Sequence, residues 1–343
     1  MTDQTLVQVV LPGIVEPEDL RVQRTAVPRP GAGQVVIAME ATGVSFAEQQ
    51  MRRGRYYDQP PFPFVPGYDV VGRVYAAGAG VDPGLLGRRV AVLTKVGGWA
   101  SHILADVRDA VEVPEGLTAE QAETVVVNGI TAWQMLHRRA RVQAGQTVLV
   151  HGASGGVGSV LAQLALAAGV RVIGTASVRN HEALRAAGVI PVDYRAGNVP
   201  EQVRELAPGG VDAVFDHVGG RSVVDSWHLL ARGGTLVAYG SASTRDDSGW
   251  KQAPVLKIVA RTLLWTALPN GRSASFFNIW AGKKMNQNRF RARLRADLTE
   301  VFAALRRGDI VTPIAARLPL ARAGEALRLA ESGTVSGKII LTP

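Results

Sequence analysis

The stretch TVLVHGASGGVGSVLAQLALAAG, residues 147–169, constrains this chain more than any other. An apolar β-prone run, Thr147–Val150, leads straight into Gly152, Ala153, Gly155, Gly156 and Gly158. A helical pattern follows, with Val157, Val160, Leu161, Leu164 and Ala168 spaced to share one face. Ala153-x-Gly155-x-x-Gly158 is the dinucleotide fingerprint with alanine in its first place. Glycine at 155 lets backbone approach a pyrophosphate, and Gly158 lets the helix pack close to the strand. The helix N-terminus, with Gly156 and Val157, offers N–H groups and partial positive charge to phosphates. The flanking strand and helix give an otherwise weak pattern its meaning.

The same residues admit a second reading. Gly152-Ala-Ser154-Gly-Gly156 also fits G-x-S-x-G, the nucleophile elbow of hydrolases, which likewise joins a strand to a helix. Asp216 followed by His217 or His228 would complete the hydrolase order. An elbow does not need the further glycines, so the hydrolase is the lesser alternative. The end of the next strand bears on cofactor choice. A NAD site would place Asp or Glu there to grip the ribose 2′-hydroxyl. This strand instead ends Gly174-Thr-Ala-Ser177-Val-Arg179-Asn180, with a hydroxyl and a guanidinium suited to a 2′-phosphate. The expected cofactor is NADPH.

The glycine turn sits in a longer rhythm. Val170–Gly174, Val189–Val192, Val211–Phe215 and Thr235–Tyr239 are apolar strands, most of them separated by helical segments, as in a parallel sheet covered on both faces. Residues 275–280 read as a sixth strand. Upstream, Gln34–Met39, Val70–Tyr75 and Arg89–Leu93 are short β-prone runs between Pro/Gly clusters, the pattern of a compact barrel or sandwich. The tail holds an arginine-rich helix, a helix near Ala321–Ala330 and a closing strand, Lys338–Leu341. Net charge is +9, but only 6 of the 38 basic residues are lysine. The densest basic stretch, Lys283–Arg295, lacks any nucleic-acid motif and reads as a solvated helix face, so no nucleic-acid partner is expected. No secretory pattern occupies Met1–Val10 and no apolar stretch reaches about 18 residues without charge, so no membrane span is expected. The chain reads as cytoplasmic.

These residues, with their neighbours, resemble the zinc-free medium-chain dehydrogenase/reductases, in the quinone oxidoreductase-like and VAT-1-like branch. The resemblance is carried by residues 28–57, PFVPGYDVVGRVYAAGAGV at 63–81, VNGITAWQML at 127–136 and SGTVSGKIIL at 332–341, so it spans nearly the whole chain. It implies an α/β protein. A GroES-like β-barrel, residues 1–126 and 284–343, would accompany a doubly wound Rossmann domain, 127–283, that binds NADPH in the cleft between them. It places Tyr194 beside the 2′-phosphate with Ser177 and Arg179, and brings Gly219 and Gly240 to the nicotinamide half. The family's recurring Asn, Asp, Arg and Tyr match Ser45, Glu48, Arg52 and Tyr56. Ser45 and Glu48 depart from that pattern. Gly67-Tyr68-Asp69 stands where zinc-dependent relatives have Gly-His-Glu, and the chain has no cysteine, so no metal is expected.

Without a Lewis acid the acceptor must already be electrophilic: a quinone or an α,β-unsaturated carbonyl (enone). Hydroxyls would then steady the developing oxyanion. Tyr56 is the first candidate and Ser45 the second, with Tyr57, Tyr68 and Trp265 lining the acceptor pocket. The apolar stretch 250–272 reads as a core helix, a membrane-touching helix or, among functional readings, a lid over that pocket. The resemblance implies a homodimer. It also permits a weakly catalytic interaction or membrane-associated protein instead of a reductase.

Overall fold

The computed structural model describes residues 5–244 and 252–343. The chain divides into two compact units, one of residues 1–130, 285–307 and 312–343, the other of residues 131–284 and 308–311. The first unit begins with a hairpin, β1 (Thr5–Val10) and β2 (Arg21–Ala26), followed by β3 (Gln34–Val44) and a short helix, α1 (Phe46–Arg52). Four strands follow, β4 (Asp69–Ala77), β5 (Arg89–Leu93), β6 (His102–Asp106) and β7 (Val111–Glu112), then the helix α2 (Ala119–Trp133). β3 organises this unit. Residues 35–42 pair antiparallel with β4 on one edge, while residues 34–38 pair with β6 on the other. Bulges between Val36 and Ile37 and between Met39 and Ala41 let one long strand serve neighbours that diverge.

The second unit is a parallel sheet. Its elements are β8 (Thr147–Val150), α3 (Gly156–Ala167), β9 (Arg171–Ala176), α4 (His181–Ala186), β10 (Ile190–Asp193), α5 (Val199–Leu206), β11 (Val211–Asp216), α6 (Arg221–His228), β12 (Leu230–Ala238), α7 (Ala253–Ala267) and β13 (Ser273–Phe276). The strand order is β10-β9-β8-β11-β12-β13. Counted within the unit this is 3-2-1-4-5-6, the doubly wound dinucleotide-binding order, with its switch point between β8 and β11. Leu149, Ile173, Val214 and Leu236 form the centre of the core. The sixth strand is shorter than the expected 275–280. β12 ends at Ala238, whose carbonyl accepts the Phe277 N–H at 2.7 Å. Beyond that point no ladder partner remains, and Asn278 turns the chain by accepting the Trp280 N–H at 2.8 Å.

The chain then returns to the first unit through α8 (Gln287–Arg307), β14 (Ile314–Pro319), α9 (Ala323–Ser332) and β15 (Lys338–Thr342). β15 pairs antiparallel with residues 42–44 of β3, completing the order β14-β15-β3-β4-β5-β7. Both ends of the chain thus build one β unit, whose core gathers Ile37, Val70, Val92, Trp99 and Leu341. The basic helix α8 buries Phe290, Leu294, Leu298, Val301 and Phe302. Its Arg291 pairs with Asp109 at 2.7 Å and Asp106 at 3.0 Å. The unit boundaries fall at 130/131 and 284/285 instead of 126/127 and 283/284, and residues 308–311 belong to the second unit. Val127 donates to Asp69 of the first unit at 2.9 Å, and Val311 donates to Gln163 of the second at 2.8 Å. Among the described residues no helix is long and apolar enough to cross a membrane.

The lid expectation for 250–272 needs correction. Residues 250 and 251 lie outside the described residues. From Ala253 the segment is α7, which buries Ile258 and Thr262 and packs against β13. Thr266 Oγ1 accepts from the Ala274 N–H at 2.8 Å. Trp265, expected in an acceptor pocket, stacks on Trp227 of α6 with ring centroids 5.0 Å apart and planes 9° apart. The sequence window ran two faces together: one, with Ile258, packs into the core against the sheet, while Leu256, Leu263 and Leu264 face outward. Trp265→Ala should therefore destabilise the second unit by about 2 kcal/mol through lost burial and stacking. Thermal melting checks this; an unchanged melting temperature would return Trp265 to a pocket role.

Candidate active site

The glycine turn takes the form that a dinucleotide needs. β8 ends at Val150, and Gly152 adopts φ +65°, a conformation open to glycine. Its N–H donates to Thr175 Oγ1 at 3.0 Å, and the Ala153 N–H donates to the Thr175 carbonyl at 3.0 Å. Gly155 is the N-cap of α3, and no side chain caps this helix. Its leading N–H groups therefore present positive potential to an anion. A Cβ on Gly158 would fall 2.2 Å from the Gly152 carbonyl oxygen, so only glycine permits the helix to approach the turn this closely. Ala153 is accommodated in the fingerprint's first place because β9 carries Gly174 opposite: a Cβ there would lie 2.6 Å from the Ala153 methyl.

At the end of β9, Ser177 is buried and Arg179 is exposed, in a 3₁₀ turn spanning Val178–Asn180. Asn180, given no role by the sequence, joins the two segments: its amide donates to Ser154 Oγ at 3.0 Å and to Ser177 Oγ at 3.4 Å. Tyr194 follows β10, 50% exposed, with the Arg195 guanidinium 5.7 Å from its ring centroid. Ser154, Ser177, Arg179 and Asn180 thus gather around the turn and the end of β9.

The loop after β11 is held by Asp216. Its carboxylate accepts from the Val218 and Gly219 N–H groups at 2.8 and 3.0 Å and from the Ser222 and Ser226 hydroxyls at 2.7 and 2.8 Å. Burial alone would raise its pKa, but His151 and these donors outweigh burial and hold it below the ordinary value. Gly219, at φ +79°, and Gly240 are needed where this loop meets the next: Cβ atoms there would fall 2.8 Å from Ser241 Cα and 2.7 Å from the His217 carbonyl oxygen. The His217 ring lies against Gly152, and its Nδ1 is shut from solvent without a protein hydrogen-bond partner. Burial lowers the His217 pKa, which favours the neutral imidazole. An orphaned ring nitrogen beside the fingerprint turn fits a polar ligand there. The hydrolase alternative fails on this geometry. Ser154 Oγ is engaged by Asn180, its backbone φ is not in the positive region that a strained elbow requires, and His228 is exposed. Asp216 is committed to its own loop.

In the first unit, Tyr56 and Tyr68 share a hydrogen bond, OH to OH 2.8 Å. Tyr56 is 8% exposed. Its ring meets Tyr57 at 4.9 Å and Tyr68 edge-on at 6.4 Å. Burial, reinforced by Tyr68, pushes the Tyr56 phenol far above its ordinary pKa, and burial raises that of Tyr57 as well. Ser45 is half-buried at the N-cap of α1. Its Oγ accepts the Ala47 N–H at 3.1 Å and bonds to Glu48 Oε2; that oxygen also accepts the Ser45 N–H at 2.8 Å. This is a capping box. Arg52, matched above to a recurring family residue, is a structural tie: it grips Glu331 of α9 at 2.9 and 2.8 Å and donates to the Val15 carbonyl at 2.6 Å.

Behind α1 lies a cluster that sequence reading missed. Lys338 Nζ is 3.2 Å from Glu123 Oε1 and 4.0 Å from Asp69 Oδ2, all three buried. Burial raises the pKa of Glu123 well above the ordinary carboxylate value, with Lys338 opposing and Asp69 adding to the shift. The lysine is driven the other way: burial would lower its pKa, but the carboxylates of Asp69, Glu123 and Glu48 outweigh it. Because the folded Glu123 holds its proton to higher pH than the unfolded one, its contribution to stability is complete below the unfolded pKa and fades as pH climbs through the folded one. The stability of the native chain relative to Glu123→Gln should therefore decline as pH rises above the ordinary glutamate pKa of about 4.3. Denaturant titrations of both proteins at several pH values test this; a flat difference would mean that Glu123 is ionised throughout.

Two family models match. One, described as an alcohol dehydrogenase GroES-like domain, covers residues 31–115; the other, described as a zinc-binding dehydrogenase, covers residues 184–341. The synaptic vesicle membrane protein VAT-1 homolog of Rattus norvegicus is 32% identical over 327 residues, 92% of this chain and 78% of that protein. A mycobacterial protein solved in complex with NADPH is 30% identical with a TM-score of 0.82, covering 98% of this chain and 100% of that one. A quinone oxidoreductase of Pseudomonas syringae is 25% identical with a TM-score of 0.84, again covering 98% and 100%. Where the zinc-dependent relatives place a histidine ligand, this chain has Tyr68. With its doubly wound nucleotide unit and its GroES-like β unit, the chain belongs to the medium-chain dehydrogenase/reductases, in their zinc-free quinone oxidoreductase-like and VAT-1-like branch.

Proposed function

We propose that this protein is an NADPH-dependent reductase of quinones or α,β-unsaturated carbonyls. The observation that carries the reading is the Tyr56–Tyr68 hydroxyl pair, with Tyr68 at the sequence position where zinc-dependent relatives have a histidine, in a chain whose second unit has the dinucleotide turn. The NADPH complex of the mycobacterial relative supports the choice of cofactor. When bound, NADPH supplies a hydride. The protein's own residues do the rest. The α3 N-terminus and Gly155 would hold the pyrophosphate; Ser177, steadied by Asn180, and Arg179 would hold the 2′-phosphate, with Tyr194 beside it; the loops carrying His217, Gly219 and Gly240 would approach the other half. Tyr56 donates a hydrogen bond to the acceptor oxygen as charge builds there, with Tyr68 fixing its hydroxyl. Ser45 offers a second hydroxyl. Tyr57 forms part of the acceptor wall. β13 is a sheet edge with one side open, and pairing of two copies along it would give the expected homodimer.

One observation favours a second reading. α7 turns Leu263 and Leu264, 68% and 62% exposed, outward beside Lys257 and Arg261, a composition suited to an anionic lipid surface. Liposome binding that survives loss of all reductase activity would favour it.

Two measurements test the reductase. NADPH should bind about 30-fold more tightly than NADH, equivalent to about 2 kcal/mol from charged hydrogen bonds to the extra phosphate. Arg179→Ala should remove most of that preference; equal affinities in the native chain would refute the NADPH assignment. Tyr56→Phe should lower kcat with a quinone or enone by about 10²-fold while leaving the Kd for NADPH unchanged. Steady-state NADPH oxidation over an acceptor panel decides it.

A further inference from the structure

We propose that Glu48 is the proton store of the reduction, and that Ser45 passes its proton to the reduced acceptor. This rests on the reductase reading above. Reduction of a carbonyl or quinone leaves negative charge on oxygen, and a proton must follow. Tyr56 is poorly suited to supply it: a buried phenol with a strongly raised pKa donates a hydrogen bond but keeps its proton. Ser45 and Glu48 are better placed.

Glu48 is 1% exposed, and its Oε1 has no protein hydrogen-bond partner. A capping box asks only that the third helical residue reach back to the cap; nothing in it requires a buried acid. The groups facing Glu48 are Ser45 from its own element, Asp69 from β4 and Lys338 from β15, with Glu123 of α2 next to Lys338. Three carboxyls thus share one ammonium in a space closed to water. Full ionisation would leave an excess of negative charge without solvation, so the cluster retains protons. Burial accordingly raises the Glu48 pKa, Asp69 adds to the rise, and the Ser45 hydrogen bond and Lys338 only partly offset it. Ser45, half-buried at the start of α1, bonds this store through its hydroxyl.

The relay balances. The Ser45 O–H breaks as an O–H forms on the acceptor. The Glu48 carboxyl O–H breaks as the Ser45 O–H re-forms. Glu48 is left as a carboxylate facing Lys338, and solvent returns one proton between turnovers. Neither residue changes oxidation state.

Glu48→Gln is the decisive variant, because glutamine also closes a capping box but carries no acid. Its melting temperature and Kd for NADPH should match the native values, while kcat with a quinone or enone falls at least tenfold. Native kcat should decline as pH rises through the Glu48 pKa, and the variant should lose that limb. Ser45→Ala should lower kcat similarly, and Ser45→Thr, which keeps a capping hydroxyl, should restore it. An unchanged kcat and pH profile in folded Glu48→Gln would overturn the proposal. A second readout needs no turnover: the infrared protonated-carboxyl band of the native chain at neutral pH should weaken in Glu48→Gln. A native chain that shows this band yet fails to oxidise NADPH in the presence of any quinone or enone would defeat the reductase reading while leaving the buried acid in place. Absence of the band difference would overturn the store itself.

Discussion

One buried ammonium holds the β unit together. Lys338 comes from the last strand of the chain, yet it faces carboxylates from α2 and β4, and Glu48 of α1 lies within its field. A lone buried cation is strongly unfavourable, as is any of these carboxylates without it. The C-terminal strand therefore cannot leave β3 without stranding charge in the core. This couples chain closure to the position of α1, and through the Ser45–Glu48 capping box to the place where that helix begins. The ion cluster thus links the fold of the unit to the geometry of its candidate hydroxyls.

The nucleotide unit depends on steric exclusion instead. The α3–β8 approach tolerates no side chain at 158, and β9 tolerates none opposite Ala153. Around that close-packed turn the polar groups are arranged by buried hydrogen bonds: Asp216 gathers four donors, and His151 links Ser226 at 3.0 Å to Thr175 at 3.4 Å. Thr175 in turn receives the Gly152 N–H. A continuous network therefore runs from the loop after β11 to the fingerprint turn. At this end the N-terminus of α3 has no side-chain cap and His217 Nδ1 has no protein hydrogen-bond partner.

Much of this was legible from order and spacing. The glycine turn, the βα rhythm and the absent acid after β9 are local features, and local backbone chemistry dictates them. The long helix α8 was equally plain. Trp265 was misplaced because an apolar window shows that a segment is hydrophobic but not which neighbour each face will meet; α6 supplied Trp227, far away in sequence. Ser154 fitted two motifs because both need a small residue between a strand and a helix. Asn180 decided between them, and its contact with Ser154 exists only once β8 and β9 lie side by side.

The sequence by itself determined the two kinds of unit, their order along the chain and the nucleotide turn, because each is written in residues a few positions apart whose conformational preferences act locally. Only the tertiary structure decided which ionisable groups would share a buried space. Glu48, Asp69, Glu123 and Lys338 are ordinary charged residues when read singly. The raised pKa values of Glu48, Glu123 and Lys338 follow from burial and mutual distance, which are set when β15 pairs with β3.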